Sequence, residues 1–303
     1  MAELKPYRGN YYLWQYLPST AAAGLFAALF ILGTGYITWR LVKARAYYCV
    51  VFVIGGIFEI VGYCARAASR NQTDVLGPYV IQSTLLLVAP ALFAASIYVV
   101  LGRVIRAVHA ERLSFIPVKW LTTIFVCGDV ASFMVQASGA GIMVTGDSPK
   151  TGENIILGGL IIQIIMFGLF ATVAGAFHIR HRWWPTGAFL KNRSSWTNIM
   201  VMLYTVSIFI MVRSIFRVIE YAMGQSGYLL KHEWTLYVFD ATLMFGVVAM
   251  FSWRFPSGLS IKELQEVEVD GRQFSEQPEE SREPDGLQMS KLATSYTPFN
   301  ESK

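Results

Sequence analysis

Seven apolar stretches, separated by short polar segments, constrain this chain more than any other feature of its sequence. They lie at about 17–39, 46–66, 79–101, 119–142, 155–178, 196–219 and 233–253. A hydrocarbon layer of ~30 Å is crossed by ~20 residues of helix, so each stretch has the length of a membrane span. Inside hydrocarbon the backbone must satisfy its own hydrogen bonds, which leaves helices or a closed barrel. A barrel would read as short alternating segments, and these runs are long and continuous. With 54% hydrophobic and only 15% charged residues in 303, a soluble core is excluded. The predicted fold is an all-α integral membrane protein: a seven-helix bundle over 17–254, a short segment 1–16 before it and a tail 255–303 after it.

Tryptophan and charge placement support these limits. Trp14, Trp39, Trp120, Trp183, Trp184, Trp196, Trp234 and Trp253 all fall at or just beyond a predicted end, the depth an amphipathic indole prefers. Cys49, Cys64 and Cys127 all lie within spans, an odd number with none in a loop, which reads as membrane packing rather than a disulfide or metal site. The first, third and fifth loops carry Arg40, Lys43, Arg45, Arg103, Arg106, Arg112, Lys119, Arg180, Arg182, Lys191 and Arg193, against Lys5, Arg8, Arg70, Lys150 and Lys231 on the other side. That asymmetry predicts an external amino terminus and a cytoplasmic tail. The first span is too long for a signal-peptide core and reads as retained. Asn71-Gln72-Thr73 is then an external glycosylation acceptor in a very short loop, equally consistent with an unmodified site.

Residues 1–258 hold 20 basic and 10 acidic groups, and residues 259–303 hold 5 and 10. The basic excess faces anionic lipid, and nothing in its distribution supports nucleic-acid binding. His178 and His181 are three apart with no further ligand nearby, so they read as a basic interfacial anchor; no metal or cofactor is expected.

Charges inside the spans narrow the reading further. One ionised group at the bilayer centre costs roughly 2.5–3.5 kcal/mol even on the mild insertion scale, so such groups should face inward, paired or wetted. In RSIFRVIE, Arg213, Arg217 and Glu220 fall at i, i+4 and i+7; in EWTLYVFD, Glu233, Tyr237 and Asp240 repeat that spacing. Each set lies on one helix face. The second span places Glu59, Tyr63 and Arg66 on one face, with Glu59 and Arg66 too far apart to pair, so that each should seek another helix. The fourth aligns Asp129, Ser132 and Gln136. The third and fifth are uncharged but carry Gln82 and Gln163, and Pro90 in the third frees a carbonyl and bends the helix. The first is uncharged and rich in small residues suited to close helix contact (Ala21, Ala22, Ala23, Gly24, Gly33, Gly35). These spans are expected to scaffold a polar cavity bounded by the charged four, with Glu59, Asp129, Arg213 and Asp240 deepest and Arg66, Glu220 and Glu233 nearer the outer surface. Arg213 is expected to pair with at least one of the deep acids.

After Trp253-Arg254 the segment FPSG stops the last helix, and a tail rich in Glu, Ser, Gln and Pro follows, for which disorder is expected. Ile261, Leu264 and Val267 suggest a brief interfacial helix, and Ser275, Ser281, Ser290 and Ser295 are candidate phosphosites or plain solvated linker. No internal repeat relates the two halves.

The motifs IGGIFEIVGYCAR, QSTLLLVAPALFAASIYVVLGRVI, CGDVASFMVQASGAG, GGLIIQ and RSIFRVIEYAMGQSGYLLKHEWTLYVFDATLM run in order through most of residues 55–258. This pattern resembles the fungal RTA-like proteins, also called the lipid-translocating exporter family. Where that family shows a His-Pro-Gly-like ending to the last helix, this chain has Phe255-Pro256-Ser257-Gly258, which keeps the helix stop and removes the histidine. The resemblance implies a seven-helix protein of fungal membranes, commonly the plasma membrane. It further implies export or flipping of sphingoid long-chain bases, resistance to sterol-like and other lipophilic toxicants, or, in one branch, porphyrin movement.

The leading expectation is a non-enzymatic exporter of amphipathic lipids, with membrane lipids as its surroundings and a long-chain base as substrate class. A cationic headgroup needs an acidic path, which Glu59, Asp129 and Asp240 would supply while Arg213 holds the acids in place. The rival structural reading is that these charges are internal pairs fixing helix register. The alternative function is a seven-helix lipid sensor whose loops and tail act on a cytoplasmic partner. An intramembrane enzyme fits poorly, since Gly-x-Ser-x-Gly, His-Glu-x-x-His and a phosphate-binding glycine loop are all missing from the sequence. Without an ATP site, pumping would draw on a gradient or on another protein; the sequence leaves the oligomeric state open.

Overall fold

The computed structural model describes residues 14, 16–70, 73, 75–107, 117–145, 149–183, 193–224 and 227–256. Asn71, the loop carrying Arg112, the loop around Lys191, and everything from Ser257 onward, including the tail serines and the Ile261–Val267 stretch, lie outside the described residues. The chain divides into the units Met1–Ser260 and Ile261–Lys303, and all the helices described belong to the first.

Seven helices long and apolar enough to cross a membrane make up the bundle: α1 (Thr20–Ala44), α2 (Val50–Ser69), α3 (Leu76–Ala107), α4 (Val118–Thr145), α5 (Pro149–Trp183), α6 (Arg193–Ala222) and α7 (Glu233–Trp253). Among the described residues there is no strand. The helices begin and end within a few residues of the predicted spans, overrunning some of them by a turn. Local chemistry sets the ends. Ser19 is extended and its hydroxyl accepts from the Ala22 N–H, an N-cap that opens α1 directly after Pro18. Arg45 closes it in the left-handed region (φ 50°), donating to Val42 while Ala46 donates to Leu41, so two orphan carbonyls are satisfied before the single turn Tyr47–Cys49 leads into α2.

Each helix packs on its sequence neighbours, α7 closes back onto α1, and α3 also touches α6 across the middle. The bundle is thus a ring with α3 drawn inward, and α3 is accordingly the most buried span, at 61% against 28–50% for the others. Glycines set the closest approaches. A Cβ on Gly62 would meet Leu86 at 2.7 Å, and one on Gly159 would meet Gln136 at 2.6 Å and the Ser132 carbonyl at 3.0 Å, which brings α2 onto α3 and α4 onto α5. In α1 only Gly33 has this role, against Val248 of α7; Gly24 and Gly35 face open space. The small residues of α1 are therefore only partly a contact surface.

Aromatic rings fill the ring in two groups. Phe26, Phe30, Tyr63 and Tyr237 stack between α1, α2 and α7 with centroids 5.5–6.4 Å apart. Tyr98, Phe125, Phe167 and Phe170 join α3, α4 and α5 at 4.4–6.2 Å. Leu32, Ile165, Leu169 and Ile208 point outward, the exposed apolar belt that lipid requires. Trp39, Trp120, Trp234 and Trp253 are exposed near helix ends, as expected for interfacial indoles. Trp14 is not: it is only 5% exposed and packs edge-on against Tyr79 at 5.4 Å. Its ring lies 5.5 Å from the Arg66 guanidinium, which it covers. Cys49 is buried and Cys64 and Cys127 exposed, all three as free thiols. At the opposite end Arg40 donates to the Ser252 carbonyl at 2.9 Å and stacks over Phe255 at 5.1 Å, and Tyr48 donates to the Pro256 carbonyl, which ties the end of α7 to α1 and the turn before α2.

Candidate functional site

The deepest polar cluster begins with a proline. Pro90 has no N–H to give to the carbonyl of Leu86, four residues back in α3, and in hydrocarbon a bare carbonyl is costly. Arg213 of α6 answers it: Nη2 donates to the Leu86 oxygen at 2.8 Å, while Nε donates to Asp240 Oδ1 in a buried ion pair. The proline in α3 and the charge in α6 are thus two halves of one arrangement. Asp240 itself sits on a π-helical turn, Tyr237–Ala241, inserted into α7, and the Thr242 hydroxyl donates back to the Tyr237 carbonyl at 2.9 Å across it. Such single wide turns re-aim side chains and recur at functional sites.

Glu59 of α2 completes this cluster. It is 1% exposed and within Coulombic reach of both Asp240 and Arg213, yet its Oε1 has no hydrogen-bond partner among the described residues. Tyr63, one turn along the same face and fully buried, also leaves its hydroxyl without a partner among the described residues. Its ring is held by stacking on Phe26 and Phe30, so the hydroxyl is fixed in place.

A second cluster lies at the end of the bundle where α1 and α7 begin. Arg66 Nη2 meets Glu233 Oε1 at 2.9 Å and the Tyr16 hydroxyl at 2.9 Å, and Nε donates to the Tyr237 hydroxyl at 3.1 Å. The guanidinium also lies 5.3–5.5 Å from the ring centroids of Trp14, Tyr16 and Tyr237. Both Glu233 oxygens accept from the Ser19 backbone N–H, at 2.9 and 3.0 Å, so the carboxylate caps α1 as well as pairing with α2. Tyr237 donates to Glu233 at 3.1 Å. The Trp14 indole N–H is the one buried polar atom here without a partner among the described residues.

The remaining candidates fall elsewhere. Arg217 pairs with Glu220 along α6 at 2.7 Å and stacks near Tyr221 at 5.3 Å. Gln136 donates to Ser132 at 2.9 Å and to Gln163 of α5 at 3.2 Å, and Ser132 donates to the Gly159 carbonyl at 2.7 Å, a polar seam between α4 and α5. Gln82, 6% exposed, leaves its Oε1 unpartnered on α3 one turn before Leu86. Asp129 accepts from Tyr98 at 2.9 Å within the α3–α5 aromatic group, and its Oδ1 is unpartnered. The His178 ring lies 5.5 Å from that of Tyr204, and the His181 side chain lies outside the described residues.

Arg213 therefore pairs with Asp240 out of the three expected acids, and Arg66 and Glu59 turn to other helices rather than to each other. Asp129 does not join that pair; its hydrogen bond goes to α3. Nor is α3 a passive scaffold, since it supplies the Leu86 carbonyl and Tyr98. Sequence reasoning missed Leu86, Tyr98, Tyr16 and Ser19. Leu86 had a signal, four residues before Pro90, whereas the others are ordinary residues recruited by tertiary packing.

The family model described as RTA1 like protein matches residues 52–263. Protein RTM1 of Saccharomyces cerevisiae is 42% identical over 209 residues, 65% of this chain and 63% of that protein. Protein RTA1 of the same yeast is 34% identical over 291 residues, 88% of this chain and 91% of the relative, and its protoporphyrin uptake protein 1 is 41% identical over 204 residues, 67% of each. A more distant yeast relative, sphingoid long-chain base transporter RSB1, is 26% identical over 243 residues, 68% of this chain and 63% of that one. The chain thus spans a little under two thirds of RTM1 and RSB1. No solved structure matches. The matched segment begins inside α2 and runs past the end of α7, so it takes in Glu59, Arg66, Pro90, Arg213, Glu233 and Asp240 together. The chain belongs to the family of RTA1-like proteins, integral membrane proteins of seven helices.

Proposed function

We propose that this protein moves amphipathic, lipid-soluble molecules across a fungal membrane, the plasma membrane in our reading, with sphingoid long-chain bases as the leading substrate class. One observation carries the reading: a carboxyl group, Glu59, is buried within Coulombic reach of a second, Asp240, and of Arg213, which pairs with Asp240, and its Oε1 meets no donor among the described residues. A purely structural cluster would be expected to saturate its acceptors, because an unmet one costs stability. An acceptor left open in a membrane interior suits a passing cation such as the amino headgroup of a long-chain base, and a relative in the family carries the name of such a transporter. Asp129, also incompletely satisfied, offers an acceptor elsewhere in the bundle.

The test is replacement of Asp129 or Asp240 by Asn in cells challenged with a long-chain base. Resistance lost at unchanged surface abundance supports the reading, and resistance retained in both variants ends it. In purified form, liposomes carrying the protein should move a fluorescent long-chain base between leaflets.

A second reading has its own support. The protoporphyrin uptake protein is 41% identical to this chain, well above the 26% of the long-chain base transporter. A porphyrin dicarboxylate would seek the arginines rather than the acids, so Asp240→Asn would spare its movement, the opposite of the outcome for a cationic base.

A further inference from the structure

Among the described residues, every charged group around Glu59 already has a partner. Arg213, from α6, is held by Asp240 and by the Leu86 carbonyl; Asp240, from α7, is held by Arg213. Arg66, on the same helix, is engaged by Glu233, Tyr237 and Tyr16. The apolar stretches of α1 and α3, which pack against α2, carry no charge. Beside the unpartnered Glu59 Oε1 stands a second open acceptor, the fully buried Tyr63 hydroxyl one turn away. A buried carboxyl in this position is neutralised either by a proton or by a cation seated against it. Both bring one positive charge, and the oxygen holds one of them at a time.

We propose that Glu59 is a single exchange site, occupied in turn by a proton and by the cationic headgroup of the transported amphiphile, which makes the protein an electroneutral proton antiporter. This rests on the reading that the protein moves cationic amphiphiles. When the headgroup arrives, the O–H bond of the Glu59 carboxylic acid breaks and its proton passes to water on the side then open. The carboxylate takes the cation in its place, with Tyr63 Oη as a further acceptor. Departure of the headgroup on the other side is followed by uptake of a proton from that side. No net charge crosses per cycle, and a pH difference drives the movement without nucleotide.

The probe is a long-chain quaternary ammonium amphiphile, which has no titratable proton of its own. Added to the purified full-length protein in weakly buffered detergent with a pH dye, it should release one proton per molecule bound, by linkage at Glu59. Glu59→Gln should release none, and Glu59→Asp, which keeps the carboxyl, should release one. In proteoliposomes a pH gradient should drive accumulation of the amphiphile, and a membrane potential set with potassium and valinomycin should not. Binding to wild-type protein without proton release overturns the proposal whatever the variants do, as does movement driven by potential as strongly as by pH. Proton release without any movement in liposomes would remove the transport reading and leave the exchange site standing. Movement without proton release would do the reverse.

Discussion

Two ion pairs tie α7 into this bundle, and they are built on opposite plans. At one end, Arg66 and Glu233 sit under Tyr16 and Trp14; both carboxylate oxygens are used and the guanidinium meets three aromatic faces. In the deep cluster, Arg213 and Asp240 also pair, but beside them Glu59 and Tyr63 leave buried oxygens open. An ion pair whose charges are all met rigidifies, and a buried carboxyl left open beside one needs a reason to persist. We read the first as a fastening that holds the start of α1 and α7 against α2, and the second as the place where a ligand belongs.

The largest expected effect tests the one fully structural member of the deep cluster. Arg213→Ala leaves Asp240 charged and alone and uncovers the Leu86 carbonyl, a loss of about 3–5 kcal/mol for a broken buried pair, so the protein should fail to accumulate or melt far below wild type in detergent. Next is Gly159→Ala, away from both clusters. Its Cβ would press on the Ser132 carbonyl and on Gln136, costing about 1–3 kcal/mol by overpacking, read as a lowered melting temperature. Arg66→Lys sharpens the comparison: an ammonium keeps the charge but loses the planar fork and much of the ring stacking, about 1–2 kcal/mol, with transport per folded molecule unchanged. The smallest is Gly24→Ala, where the new methyl meets nothing within 4 Å and the melting temperature should barely move.

How far the sequence carried this picture is explained by the same physics. The seven helices were legible because hydrocarbon permits few structures and demands a fixed length, and α7 begins and ends where the apolar run does. The charged positions were legible because each is expensive. Their partners were not, since helix order around a ring is a tertiary fact: nothing in the spacing of Arg213 chooses Asp240 over Asp129, and Asp129 went to Tyr98. The widened turn at Asp240 has no local signal either. Trp14 reads like every other tryptophan near a helix end, and its burial over Arg66 has no signal in the sequence. The gap between Gly33, pressed on Val248, and Gly24, in open space, shows the same limit: composition marks α1 as able to pack closely and does not say where.

The central claim is that the cluster with every charge paired fastens and the one with an open carboxyl works, and the Glu59→Gln protein tests it most directly. Its thermal unfolding in detergent and its movement of a fluorescent long-chain base in liposomes should be measured on the same preparation. The account predicts a folded protein close to wild type in stability, since a neutral amide of nearly the same shape replaces a protonated acid, together with loss of lipid movement. A variant that melts well below wild type yet moves lipid normally per folded molecule would contradict it, and would return Glu59 to the structural frame of the bundle.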